Sequence, residues 1–312
     1  MGAKMGLGMD VYRPSGEGPE HDARGSSLWR DERPGCGNAA CTGGWLRMFK
    51  DRRRPVFEGR WGCSAECVQA LVEAAVRREA GDGNAEKEAW QHRHRVPLGL
   101  VLLAQGLITQ PQLQHALDRQ RRAGHGRIGS WLVAECGLKE ERVTRALGLQ
   151  WNCPVLPVDG FDPAAMALLA PKALVERVGM LPLRIAGGRI LYLAFEDRLD
   201  SSAALAMERM SGLKVESGLV DGERLKAARQ RLCECKFIEA EHEQAVDSES
   251  MSRRIALALG KIQPRASRLA RLHRSYWLRM WLETGAMSAR EGGVPATRED
   301  IVDRIYTVGH EQ

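Results

Sequence analysis

Cys36 and Cys41 form a C-x4-C pair, Cys63 and Cys67 a C-x3-C pair, and 21 residues separate the two. Four thiolates suit tetrahedral zinc, with metal–sulfur bonds of about 2.3 Å and no open position for a substrate. The chemistry on offer is therefore structural, since such a site stabilises a segment too short to bury its own core. The alternative is four unpaired thiols in an apolar core. Disulfides are not expected, because the N-terminus lacks the apolar stretch of a secretory signal. Cys136 and Cys153 read as buried apolar residues, and Cys233 and Cys235 stand too close for an ordinary two-ligand half-site. Glu196 and Asp197 are adjacent carboxylates with no histidine beside them, and read as a solvated strand end. The only Gly-Lys pair, Gly260-Lys261, precedes Ile262 and lacks the upstream glycine of a phosphate-binding G-x-x-x-x-G-K-[ST] loop. No G-x-S-x-G or Ser-His-Asp arrangement occurs, so the chain is read as a non-enzyme.

The elements that must hold the cysteines are short. Trp45–Phe49 and Pro55–Trp61 are expected as a hairpin turning at Asp51–Arg54, and Ser64 as the cap of a helix. Val68, Leu71, Val72 and Val76 recur at helical spacing on that helix. Knuckle, hairpin and ligand-bearing helix together resemble a treble-clef zinc finger, placed here over residues 35–82. Arg47, Lys50, Arg52, Arg53, Arg54 and Arg60, interleaved with Trp45, Phe49, Phe57 and Trp61, are compatible with nucleic-acid contact. The competing reading makes the aromatics a mini-core and the charges its solvated turn.

A 24-residue pattern follows twice, Pro97–Gln120 and Arg127–Gln150. Leu98 aligns with Ile128, Gly99 with Gly129, Leu113 with Val143, Leu117 with Leu147 and Gln120 with Gln150. Each copy predicts two short helices around a bend, the second opened in copy one by a Thr109–Gln112 capping box with Pro111 in its first turn. A glycine at the third position opposes helix propensity, so something approaches the backbone there: a ligand or the sister copy.

The pattern resembles R-L-G-x-x-L-(V/I)-x-x-G-(L/I)-x-x-x-x-L-x-x-A-L-x-x-Q, found in tandem in the N-terminal domains of type II secretion and type IV pilus assembly ATPases. Leu168–Pro171, Met180–Leu183 and Ile190–Asp197 continue the likeness, so that it runs from about Arg95 to Leu232. The resemblance implies docking to secretion or pilus machinery, an inner-membrane platform component or partner ATPase, and in one branch binding of cyclic di-GMP. The ligand residues it implies here are Arg95, Leu98, Gly99, Gln120, Arg127, Ile128, Gly129 and Gln150. Copy one carries Pro97 where the motif has arginine, leaving Arg95 as its substitute, and copy two carries Cys136 where it has glycine, with Gly137 one place late.

The sequence thus predicts an α+β chain: a disordered tail over 1–34, the zinc module, a helical repeat domain over 95–155 and a small α+β domain over 156–235. In the last, Met180–Ile185 and Arg189–Phe195 are expected strands joined by Gly187-Gly188, Asp200 or Ser201 caps one helix and Asp221 opens another, and Leu213–Ser217 is a third strand. Residues 236–252 read as an acidic linker and 253–312 as a basic tail, with an amphipathic helix over Arg265–Leu282 whose stripe of Leu269, Leu272, Tyr276 and Met280 packs on the chain's own domains, enters a partner's groove or meets an anionic membrane. No stretch is apolar enough to span a membrane. A formal net charge of +6 favours acidic partners without choosing among them. The expected function is a non-catalytic regulatory or adaptor protein in the cytoplasm, peripheral at the inner membrane, with structural zinc and a cyclic di-GMP site. The alternative is a zinc-containing nucleic-acid-binding protein that uses the repeat domain for assembly.

Overall fold

Pro55–Trp61 folds back on itself. Strands β1 (Val56–Phe57) and β2 (Arg60–Trp61) pair antiparallel, with Glu58 and Gly59 both at positive φ between them. Such a two-residue turn matches the twist of a tight hairpin. This corrects the reading of Pro55–Trp61 as a single strand, since the stretch turns at Glu58-Gly59. The computed structural model describes residues 36–42, 55–81, 95–283 and 298–309. The expected tail over 1–34, Trp45–Phe49 and Asp51–Arg54 lie outside the described residues. Helix α1 (Ala65–Gly81) follows, and Ser64 Oγ accepts from the Cys67 N–H at 3.3 Å, as its cap role requires.

The tandem pattern folds into four helices: α2 (Leu98–Ala104), α3 (Gln110–Ala123), α4 (Ile128–Cys136) and α5 (Glu140–Trp151). The capping box forms, with Gln112 Oε1 accepting from Thr109 N at 2.8 Å and Thr109 Oγ1 from Gln112 N at 3.4 Å. The displaced glycine of copy two also has a cause. Helix α4 runs to Cys136, so the left-handed residue that ends it is Gly137, whereas shorter α2 places that conformation at Gly106.

Short helices α6 (Pro163–Met166) and α7 (Lys172–Val178) lead into a three-stranded sheet of order β3 (Leu181–Ala186), β4 (Ile190–Phe195), β5 (Lys214–Leu219). The first pair is antiparallel across Gly187-Gly188 and the second parallel, connected by α8 (Ser201–Ser211). Pro182 sits on the outer strand, where its missing donor costs least. Asp200 caps α8 through Ala203 N at 2.9 Å, and Asp221 caps α9 (Gly222–Cys233) through Arg224 N at 3.0 Å.

The C-terminal expectations are overturned. The acidic linker is strand β6 (Ala240–Ala245) and the start of helix α10 (Ser248–Ile262). Its acidity serves both: Glu241 and Glu243 each bond Arg304 at 2.7 Å, while Asp247 forms a capping box with Ser250. The amphipathic helix over Arg265–Leu282 is a β-hairpin, β7 (Ala266–Leu272) and β8 (Ser275–Trp281). With β9 (Ile301–Val308) these strands make a four-stranded sheet of order β6-β9-β8-β7, β6 running parallel to β9. Both faces are covered, so every residue of β8 is buried and no alternation survives to betray the strand. Leu269, Tyr276, Leu278 and Met280 face one core; Ala270, Leu272 and Trp277 face another.

That division organises the molecule. One core runs from the repeat helices through the three-stranded sheet to one face of the C-terminal sheet. A second joins Phe57, Val68, Leu71, Val72 and Val76 of the cysteine module to Met251, Ile255 and Leu259 of α10 on the other face. The hairpin arginines are internal fasteners. Arg279 meets Asp303, and Arg268 donates to the carbonyls of Arg209 and Met210 at 2.7 and 3.1 Å. No helix among the described residues is long and apolar enough to cross a membrane.

Candidate metal centre and tandem-repeat site

The sulfur atoms of Cys36, Cys41, Cys63 and Cys67 all lie within 4.8 Å of one another. Cys63 Sγ stands 3.3 Å from Cys41 Sγ and 3.6 Å from Cys67 Sγ. Disulfides would require about 2.05 Å. A tetrahedron with bonds of about 2.3 Å sets sulfur separations of about 3.8 Å, and the cluster is of that size. The knuckle is tied down by Gly37 N donating to Trp61 O at 2.8 Å and Cys41 N to Asn38 O at 3.0 Å. Outer donors face the sulfurs: Cys63 N reaches Cys36 Sγ at 3.4 Å and Asn38 Nδ2 reaches Cys67 Sγ at 3.5 Å. Burial opposes ionisation of Cys67, yet bonds from Asn38, Ser64 and the neighbouring thiols outweigh it and bring the thiol down to about 6. The donor set fits a closed, four-coordinate metal ion.

The module is not a free-standing finger. Val56 N donates to Pro264 O at 3.1 Å, Glu58 N to Ser267 O at 2.8 Å, and Ser267 Oγ to Val56 O at 2.9 Å, so β1 lies along the outer edge of β7. Further along that edge, Glu79 of α1 accepts from Arg271 N at 3.0 Å while holding Arg78 and Arg209. Arg78 in turn bonds both oxygens of Glu58 at 2.7 Å.

In the repeat domain the motif glycines are filled from within. A Cβ on Gly99 would stand 2.6 Å from Leu113 Cδ1, and one on Gly129 would stand 2.8 Å from Val143 Cγ1 and 3.4 Å from Leu98 Cδ2. Leu113 and Val143 are aligned positions, so in both copies the first helix approaches the second too closely for a side chain. Gly129→Ala should therefore cost about 1–3 kcal/mol in an unfolding titration. Gly99→Ala should cost less, because a leucine tip yields more readily than a β-branched valine. Equal stability of Gly129→Ala and the unsubstituted chain would refute the close-packing account.

The terminal glutamines close the pair on itself. Gln120 Nε2 donates to Gly126 O at 2.8 Å and Gln150 Nε2 to Val96 O at 2.6 Å. Each copy thus ends on the carbonyl just ahead of the other's first motif position, a pseudo-two-fold arrangement. Leu98, Gly99 and Gly129 are buried, Ile128 is half-buried, and each glutamine amide already gives one N–H to a backbone carbonyl. The two arginines sit at different seams. Arg95 stacks 3.2 Å above the Trp151 ring, its Nη1 without a hydrogen-bond partner, and burial pushes its pKa down. Arg127 is 64% exposed and bonded to Asp197, with Glu196 at 3.9 Å. The carboxylates read as solvated are therefore Arg127's partners, a pairing across 70 residues that no local spacing announces. The buried Glu79 did leave a signal, seven residues beyond Val72 on the same apolar face of α1.

No family model matches the chain. Over 123 residues it is 34% identical to the type IV pilus assembly ATPase PilB of Thermus thermophilus, covering 38% of this chain and 14% of that protein. Over 135 residues it is 27% identical to PilB of Myxococcus xanthus, covering 43% and 24% respectively. Among solved structures, MshE with cyclic di-GMP is matched at 26% identity over 44% of this chain and 99% of that one, with a TM-score of 0.37. The N-terminal domain of XpsE is matched at 17% identity over 43% and 92%, with a TM-score of 0.32. The alignments therefore span no more than 24% of the length of these two curated relatives. Over about 40% of its length, this chain is a homologue of the type IV pilus assembly ATPases.

Proposed function

We propose that the chain is a non-catalytic adaptor of a type IV pilus or type II secretion machine, acting in the cytoplasm against an inner-membrane platform component or a partner ATPase. The observation that carries this reading is the internal commitment of the motif. Its glycines are filled by the unit's own helices and its glutamines close the two copies, and a stretch packed on itself in this way suits docking as a rigid body. In-cell crosslinking of the full chain should capture an ATPase or platform protein of such a machine. Its absence from the captured proteins would sink the adaptor reading.

Cyclic di-GMP is the regulatory ligand this reading allows, with Arg127 as the exposed cation and Arg95 in place of the arginine that Pro97 displaces. An anion at Arg127 must exchange with Asp197 and Glu196, which raises the cost of binding. Calorimetric titration with cyclic di-GMP, with GTP as control, should give saturable binding that Arg127→Ala weakens by about 1–3 kcal/mol. Equal heats in both proteins would remove Arg127 from any site and leave an adaptor without a nucleotide. Zinc is the proposed occupant of the cysteine cluster, holding the module's fold and taking no part in chemistry.

A further inference from the structure

The two copies of the tandem pattern meet at two seams related by their pseudo-two-fold, and only one seam is complete. At the first, His115 and Arg119 of α3 both hold Glu135 of α4, at 3.4 and 3.1 Å, and the Arg119 guanidinium lies 5.9 Å from the centre of the Trp131 ring. The aligned positions at the second are Arg145 and Leu149 of α5 and, just past α2, Gln105. Glutamine carries no charge. Arg145 is therefore left exposed without an ion pair among the described residues, as is Arg142 one turn before it. Leu149 stands 62% exposed where the first copy has arginine. Arg142, Arg145 and Leu149 follow one another at the spacing of a single helical face, a stripe about 10 Å long at the rise of an α-helix. At its end Gln150 holds the backbone of Val96, whose side chain is 57% exposed, and Leu100 on α2 is 51% exposed. Among the described residues, three of the six large apolar side chains that face solvent are thus on or beside the helices of this seam, and such clustering marks an interaction site.

We propose that this open seam is the surface through which the chain docks, and that its partner is a helix carrying carboxylates and an apolar side chain on one face. The proposal rests on the adaptor reading and names the surface that reading uses. The complete seam shows what is missing. There, one carboxylate between the second helix of one copy and the first helix of the other satisfies two basic groups. Where Gln105 takes that carboxylate away, an Asp or Glu of the partner supplies it to Arg145 and Arg142. Leu149 and Val96 receive the apolar side chain, the anchor that helix-in-groove contacts use. Charge guides the encounter and sets its register, and burial of the anchor holds it.

A photoreactive amino acid is placed at Leu149 of the full chain, and separately at Leu257 of α10, which is 73% exposed, and each chain is crosslinked in cells. Position 149 should capture an ATPase or platform protein of a pilus or secretion machine through a peptide with Asp or Glu at helical spacing, and position 257 should not. Arg142→Glu combined with Arg145→Glu should cut that capture about tenfold or more. The urea midpoint should not change, because neither guanidinium has a partner to lose among the described residues. Capture that survives the charge reversal, an equal yield from position 257, or a crosslinked peptide without acidic residues would overturn the docking surface. If chemical crosslinking of the unsubstituted chain captures a machine protein and position 149 does not, the surface falls and the adaptor stands. If neither captures one, both fall.

Discussion

With zinc in the cysteine cluster as proposed, replacing Cys63 with serine should release it and unfold the C-terminal sheet together with the cysteine module. Structural zinc in finger-sized modules contributes about 10–16 kcal/mol of apparent binding free energy, while a whole domain is stable by only about 5–15 kcal/mol. The module's apolar residues do not form a core of their own. Phe57, Val68, Leu71, Val72 and Val76 are buried against Met251, Ile255 and Leu259 of α10 and against Leu269, Tyr276 and Leu278 of the sheet. Losing α1 would expose that shared face, so the damage should spread well past residue 81. Hydrogen exchange checks this directly: amides of β7, β8 and α10 should lose protection alongside those of α1, and zinc content should fall to zero. Loss of protection confined to residues 36–81 would mean that the two parts share contacts without sharing stability.

The second large effect is expected at Asp303. This carboxylate is fully buried and accepts from Arg279 Nε at 2.9 Å, Arg279 Nη2 at 2.7 Å and Trp277 Nε1 at 2.9 Å. The remaining Arg279 nitrogen donates to Leu168 O and Leu169 O at 3.2 and 3.0 Å, fastening the loop before α7 to the sheet. Asp303→Ala would leave a buried guanidinium without its counter-charge, a change that costs about 3–5 kcal/mol. The double substitution Asp303→Leu with Arg279→Met removes both charges and should recover most of that loss, because an apolar pair of similar volume carries no desolvation penalty. Denaturant midpoints of the three proteins decide it. A double variant no more stable than Asp303→Ala would show that Arg279's carbonyl contacts, not the ion pair, carry the stabilisation.

How far the sequence spoke depended on whether its signals were local. The repeat helices, the Thr109–Gln112 box, the Gly187-Gly188 hairpin and the Asp200 and Asp221 caps are each set within a few residues, and each appears where its spacing put it. The four cysteines also come together as their spacing implied. The C-terminal quarter was misread because its hairpin strand β8 is buried on both faces. Leu269, Leu272, Tyr276 and Met280 happen to fit a helical stripe, although in the sheet Leu272 belongs to a different core from the other three. Charge misled in the same region. Glu241 and Glu243 read as linker charges, but their partner Arg304 stands 61 or more residues away on the parallel neighbour β9. The Arg127–Asp197 and Glu79–Arg271 contacts are likewise fixed only by tertiary packing.

The closure of the two copies by Gln120 and Gln150 has a consequence for how such a unit can travel. Because Gln150 hydrogen-bonds Val96, the point where the chain enters the repeat domain and the point where it leaves are neighbours in space. A body whose ends already meet can be spliced into another polypeptide, or cut at its inner loop and rejoined at its outer one, without stretching either flank. The Gly124–Gly126 loop is the corresponding second opening, since Gln120 secures Gly126 across it in the same way. The tandem unit is thus built as a cassette, with its two ends already joined before any flanking chain is added.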